Sequence, residues 1–205
     1  MNNFSAKLRR LMNRIAIPNL MYYICFTQGL VYVADLLTQN QISSAIYFYR
    51  PLILQGQVWR VLTFLAEPIN PHPIWIIFSI IFYISIGRTV EAAWGADKLT
   101  HYILLNWLLI VVCGFITGSA ANYFMFMSLV MVWGTVAPRD RVNLYMVLPI
   151  EAKYLAIAYG IILIIFLIMG HFSVIPTIIT YMVFFGKDHI RPLKNKIKFN
   201  RMFKG

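Results

Sequence analysis

Leu99-Thr100-His101-Tyr102-Ile103-Leu104-Leu105-Asn106-Trp107-Leu108-Leu109-Ile110-Val111-Val112-Cys113-Gly114-Phe115-Ile116-Thr117 runs nineteen residues without an Asp, Glu, Lys or Arg. As a helix it rises ~28 Å, close to the ~30 Å hydrocarbon core of a bilayer. Further apolar runs flank it, at Asn19–Leu37, Ile74–Ile86, Tyr123–Val136, Ala152–Met169 and Ser173–Phe185. The whole chain agrees: 205 residues, 60% hydrophobic and only 12% charged, against about 25% charged and 45–50% apolar in a soluble domain. That composition excludes a soluble enzyme, a disordered chain and a disulfide-rich secreted module. The expected fold is all-α, a polytopic bundle of six transmembrane helices. Residues 1–18 form a basic segment, 19–187 one membrane domain and 188–205 a basic tail. Asn19–Leu37 exceeds a signal-peptide core and lacks a small-residue cleavage site, so it reads as an uncleaved anchor helix.

The connections carry the orientation. Sixteen of the 18 basic residues fall on one side of this six-span layout, leaving Arg50 and Arg60 on the other. By the positive-inside rule both termini are cytoplasmic, in a bacterial inner membrane. Net charge of +11 is therefore a topology signal, and nucleic acid is not an expected partner. Between the first two spans, residues 38–73 are broken by Pro51, Gly56, Pro68, Pro71 and Pro73. Ile42, Ala45, Ile46 and Tyr49 recur there at helical spacing, which predicts a helix lying in the interface. The runs at 74–86 and 173–185 are each 13 residues, only ~20 Å long as helices. They are either shielded by longer neighbours or thin the nearby lipid.

Three stretches carry more than composition: Val58-Trp59-Arg60-Val61-Leu62-Thr63, Gly87-Arg88-Thr89-Val90-Glu91-Ala92-Ala93-Trp94-Gly95, and Pro138-Arg139-Asp140-Arg141-Val142-Asn143-Leu144 leading into Leu148-Pro149-Ile150-Glu151-Ala152. In this order, with six spans, the chain resembles the rhomboid superfamily. They are similar to its Trp-Arg loop, its glycine–glutamate–glycine turn and its loop before the fifth helix. The resemblance implies an interfacial first loop and, in proteases of the family, a Gly-x-Ser-Gly serine at the start of helix four with a histidine in helix six. No Gly-x-Ser-Gly occurs in this chain. Counting back from Pro138 puts Tyr123 at the nucleophile, within Ala121-Asn122-Tyr123-Phe124. Counting from Gly87 puts Trp75 and Ser79 at the helix-two oxyanion positions, and counting from Thr180-Tyr181 puts Ser173 at the base. The chemistry needs a hydroxyl within reach of an imidazole, plus donors for the oxyanion. The resemblance therefore implies an inactive relative, a pseudoprotease. Trp59-Arg60, Asn106-Trp107 and Trp133 resemble the Derlin branch, which implies transmembrane clients handed to quality control, with a membrane protease or an AAA ATPase as partner.

The remaining residues have two readings each. Trp59 and Arg60 either anchor the interface and meet clients, or simply fold the loop, with Arg60 on nearby carbonyls or Glu67. Gly87, Glu91, Trp94 and Gly95 are expected to be structural, Glu91 capping the turn through backbone amides, Arg88 or Lys98, with Asp97 as N-cap of helix three. The pairs Gly114/Gly118 and Ala156/Gly160 allow close helix packing within one chain. Ser173, Thr177 and Thr180 either line a client groove or stabilise a kink at Pro176. A displaced dyad of Ser119 or Ser128 with His171 would make the chain an active serine protease. An ion channel or transporter is disfavoured, since the spans hold almost no ionisable group after Asp35. Lys194, Lys196, Lys198, Arg201 and Lys204, with the rest of the basic tail, suit anionic lipid or a cytosolic partner. No cofactor and no metal are expected; Cys25 and Cys113 read as buried thiols.

Overall fold

The computed structural model describes residues 16–70, 72–144 and 148–186, without the side chains of 142–149. Both basic ends, including Lys194, Lys196, Lys198, Arg201 and Lys204, lie outside the described residues. Among the described residues, three helices are long and apolar enough to cross a membrane: α1 (Leu20–Thr38), α5 (Pro73–Trp94) and α6 (Ala96–Thr117). Three shorter apolar helices follow, α7 (Tyr123–Val136), α8 (Ala152–Ile168) and α9 (Phe172–Gly186). This is a mostly helical architecture compatible with a membrane protein.

Between α1 and α5 the chain makes α2 (Gln41–Ile46), β1 (Phe48–Tyr49), α3 (Arg50–Leu54), α4 (Arg60–Thr63) and a 3-10 turn at Phe64–Ala66. The helix expected around Ile42–Tyr49 stops at Ile46, and Tyr49 pairs instead as strand. Two small ladders were not expected of an all-α chain. β1 joins β2 (Ser119–Ala120) through Phe48 opposite Ala120. A hairpin of β3 (Arg141–Leu144) and β4 (Leu148–Glu151) separates α7 from α8.

The second apolar helix corrects the sequence reading most. It runs 22 residues from Pro73, which suits the first turn because its missing N–H is unneeded there. It passes through Gly87, Arg88 and Glu91 to Trp94, so the expected turn over 87–95 shrinks to Gly95 alone. At ~33 Å this helix is no longer short, and bilayer thinning loses that support. Gly95, at φ 100°, breaks the helix; a Cβ there would sit 2.6 Å from Asp97 Oδ1. Gly95, not Asp97, occupies the N-cap position of α6, and Asp97 lies in the first turn. Glu91 does accept backbone amides, but from a different helix: Asn19 N–H donates to its two oxygens at 2.9 and 3.1 Å. The carboxylate thus sits at the start of α1, where helix N–H groups favour an anion. Trp94 packs on Phe185 and Phe184 of α9, ring centroids 4.9 and 5.4 Å away.

α7 is the centre of the bundle. Met125 to Val130 and Val132 to Gly134 are all buried, as expected of a helix apolar on every side. It crosses α8 closely at Gly134, where a Cβ would meet Ala156 and lie 2.7 Å from the Ala152 carbonyl. Of the expected small-residue positions, Ala156 makes its close approach within the chain, to a glycine the spacing had not paired with it. Deep in the bundle, Asn106 Nδ2 donates to Ser128 Oγ (3.0 Å), Ser128 donates to Met125 O (2.8 Å), and Thr177 donates to Asn106 Oδ1 (3.3 Å). All three side chains are fully buried, so their polar groups need these partners. Thr180 donates back to Pro176 O at 2.9 Å, the pattern expected beside a proline. Large apolar side chains such as Leu37, Ile116 and Ile168 face outward.

Candidate functional site

At the end of the bundle that carries residues 39–67, Ile110, Cys113, Gly114, Ser119, Ala120, Ala121 and Ser173 line a narrow surface slot with no room for a free water. Ligand pockets for small molecules usually reach ~300–1,000 Å³, so this closed slot is no metabolite site, and a side chain enters it only if its walls part. Its walls are the last turns of α6, the β2 segment and the first turn of α9. The β1–β2 ladder fixes one wall, together with Arg50 N–H on Gly118 O (3.1 Å) and Arg50 Nη1 on Phe115 O (3.0 Å).

Of the four positions matched to lost catalytic residues, Ser173 alone lines the slot. Tyr123 opens α7, 40% exposed, with its ring edge-on to Phe124 at 5.6 Å. Trp75 and Ser79 lie on α5, where Ser79 donates to Trp75 O (2.8 Å) and accepts from Asn70 Nδ2 (2.7 Å). The displaced-dyad residues are likewise apart in role. Ser119 belongs to β2, Ser128 spends its hydrogen on Met125 O, and His171 packs against the Phe166 ring at 5.4 Å. Among the described residues no three His, Cys, Asp or Glu side chains gather where a metal ion would sit.

The wall of loop above the slot is held by side chains acting on backbone carbonyls. Short helices leave several carbonyls without partners. Arg60, 4% exposed, donates through Nη1 to Ser44 O (3.0 Å) and Tyr47 O (2.9 Å), and through Nε to Gln57 Oε1 (2.8 Å). Its guanidinium also stacks over the Tyr47 ring at 5.0 Å. These carbonyls, not Glu67, take the guanidinium. Trp59 donates to Ala45 O at 3.2 Å and leaves half its surface open. From the long helices, Trp107 reaches Val61 O (3.0 Å) and Gln28 reaches Leu65 O (3.1 Å). Asn122 Nδ2 lies 3.2, 3.3 and 2.8 Å from the carbonyls of Phe64, Leu65 and Glu67. Asp35 accepts from the Ser43 amide (2.9 Å) and hydroxyl. Burial pushes the Glu67 carboxyl above its ordinary range, and the nearby Asp35 charge adds to that.

Gln28, Asn122 and the bonding of Asn106 escaped the sequence reading. A lone amide in an apolar run carries no spacing pattern. The available signal was its cost in hydrocarbon, which obliges it to find a partner. No family model matches the chain, and no curated protein or solved structure is similar to it.

Proposed function

We propose that this chain is a six-span, rhomboid-like membrane protein that grips transmembrane segments of client proteins at its outer face and passes them on uncut, to quality-control machinery such as a membrane protease or an AAA ATPase. The observation that carries the reading is the slot between α6, β2 and α9. It offers hydroxyls at Ser119 and Ser173 and small side chains at Ala120, Ala121 and Gly114, and its lining residues include no imidazole. A serine hydroxyl without a base in reach is a weak nucleophile but a serviceable hydrogen-bond donor and acceptor. Tyr123, two residues beyond Ala121 of the lining, and Trp59, hydrogen-bonded to Ala45 O in the loop, present partly open rings. A polar residue in a client helix would exchange lipid for these groups.

In this reading the loop end faces away from the cytoplasm, and the basic tail lies on anionic lipid or recruits the receiving machinery. Photocrosslinkers placed at positions 59, 123 and 173 in cells should capture membrane-spanning segments. The purified chain should stay unlabelled by a serine-directed fluorophosphonate and leave a transmembrane reporter intact. Labelling that disappears in Ser119→Ala or Ser128→Ala would overturn the proposal in favour of a protease with a displaced dyad.

A further inference from the structure

The corner between α1 and α2 is made without glycine or proline. Gln39 and Asn40, the two residues between the helices, both stand in the left-handed region, at φ 53° and 64°. Asparagine visits that region at modest cost; glutamine seldom does, because its Cβ crowds the following carbonyl oxygen. From Asp35 to Ile46 no Gly or Pro interrupts the chain, so no residue there breaks a helix. Met21, Gln28 and Asp35 lie seven apart on the buried side of α1, and Ile42 falls at the next step of that repeat. One continuous helix over 20–46 is therefore open to this sequence, and it would relieve both left-handed residues.

The bent form is held from both ends. The buried Asp35 carboxylate accepts the Ser43 amide (2.9 Å) and the Ser43 hydroxyl, and the Asp35 carbonyl accepts Asn40 N–H (3.1 Å). In a continuous helix residues 35 and 43 would stand ~12 Å apart, so this clasp belongs to the corner alone. At the far end of α2, Trp59 donates to Ala45 O, Arg60 to Ser44 O and Tyr47 O, and Thr63 Oγ1 to Ile46 O at 3.3 Å. α2 itself has no buried residue, so these bonds and the clasp, rather than a packed core, keep it folded back.

We propose that the α1–α2 corner is a two-state joint. In its second state Gln39 and Asn40 turn right-handed, the Asp35–Ser43 clasp opens, and α1 runs on through α2 as one helix. Withdrawing the α4 side chains from the α2 carbonyls favours that straight state, so the joint answers to Trp59. The test places paired nitroxide labels at Leu30→Cys and Ala45→Cys, both exposed, in the full chain in phosphatidylcholine vesicles. The background is Cys113→Ala; Cys25 is fully enclosed and escapes the label. A straight helix sets the two backbones ~22 Å apart, and the corner brings them closer. Gln39→Ala with Asn40→Ala should raise a second distance population near the straight value, and so should Asp35→Asn alone. Trp59→Phe, which loses the bond to Ala45 O, should move the population the same way by less. Gln39→Gly with Asn40→Gly should leave the short population alone, because glycine accepts the left-handed backbone and weakens a helix through it. A short distance in every variant overturns the proposal. A featureless spread in the alanine pair overturns it too, since the corner would then fray rather than straighten. A straight population as large in the glycine pair as in the alanine pair does the same. If Asp35→Asn fails to fold, the alanine pair keeps the clasp and decides by these criteria.

Discussion

Residues 39–67 and the described part of 138–151 are two long connections between apolar helices, and they are held in opposite ways. The first is bound inward by groups from α1, α6 and the start of α7: Gln28, Asp35, Trp107 and Asn122, with Arg60 serving the loop from within. The second is attached at its base by Trp133 on Asp140 and the Ala152 amide on the Asp140 carbonyl, and to its backbone ladder the described side chains add the ion pairs Arg141–Glu151 and Lys153–Glu151, at 3.4 and 2.5 Å. Exposed ion pairs contribute little because water screens and competes for them. Buried amides and guanidinium groups on otherwise orphaned carbonyls contribute more, and their loss leaves those carbonyls unpaired. Among the described residues, side-chain bonds to backbone carbonyls are concentrated in the first segment.

Breaking this contrast should cost most at Arg60. Arg60→Ala removes the buried guanidinium that donates to the Ser44 and Tyr47 carbonyls and to Gln57, and is expected to cost about 3 kcal/mol, read by unfolding in detergent, with new protease cuts confined to 39–67. Arg60→Lys should recover only part, since an ammonium lacks the planar fork. Asn122→Ala should cost about 2 kcal/mol by the same route. Asp140→Ala, which takes the acceptor from the Trp133 indole N–H without emptying the core, should cost about 1 kcal/mol and loosen the hairpin in hydrogen exchange while the loop stays protected. Had the hairpin been built like the loop, this change would rival Asn122→Ala.

Acid sharpens the same comparison. Glu67 has its carboxyl pKa raised by burial, so ionisation opposes folding, and the loop should gain stability as pH falls through the shifted value toward the ordinary 4.5. Glu67→Gln should flatten that slope and stabilise the neutral protein modestly. Glu151 has its pKa lowered by Lys153 and Arg141. Its contribution is present above the ordinary carboxylate value and lost as pH falls through the lowered one, the opposite sign. Its exposure makes that effect the smallest of all, and Glu151→Gln should leave the melting curve unchanged.

How much of this was readable from residues alone depends on how local the cause is. Leu99–Thr117 announced its helix because nineteen largely apolar residues without an Asp, Glu, Lys or Arg need no neighbour to explain them. Arg88 and Glu91 misled for the same reason: charges after an apolar run look like a turn, but Glu91 continues the helix to meet Asn19, 72 positions earlier. Phe48 opposite Ala120 is a pairing that neither segment advertises. Arg60 on carbonyls was foreseeable, since the short loop helices leave acceptors nearby; Asn122, a single amide among apolar residues, was not.

One amide deserves a last consequence. Asn106 hands its nitrogen to α7 and its oxygen to α9, and each residue of helix turns about 100°. Slipping either neighbour by one position would swing its hydroxyl out of reach, so this side chain acts as a keyway that selects the azimuth of two rods at once. Greasy surfaces alone would tolerate many angles; a chain lacking that keyway should populate several.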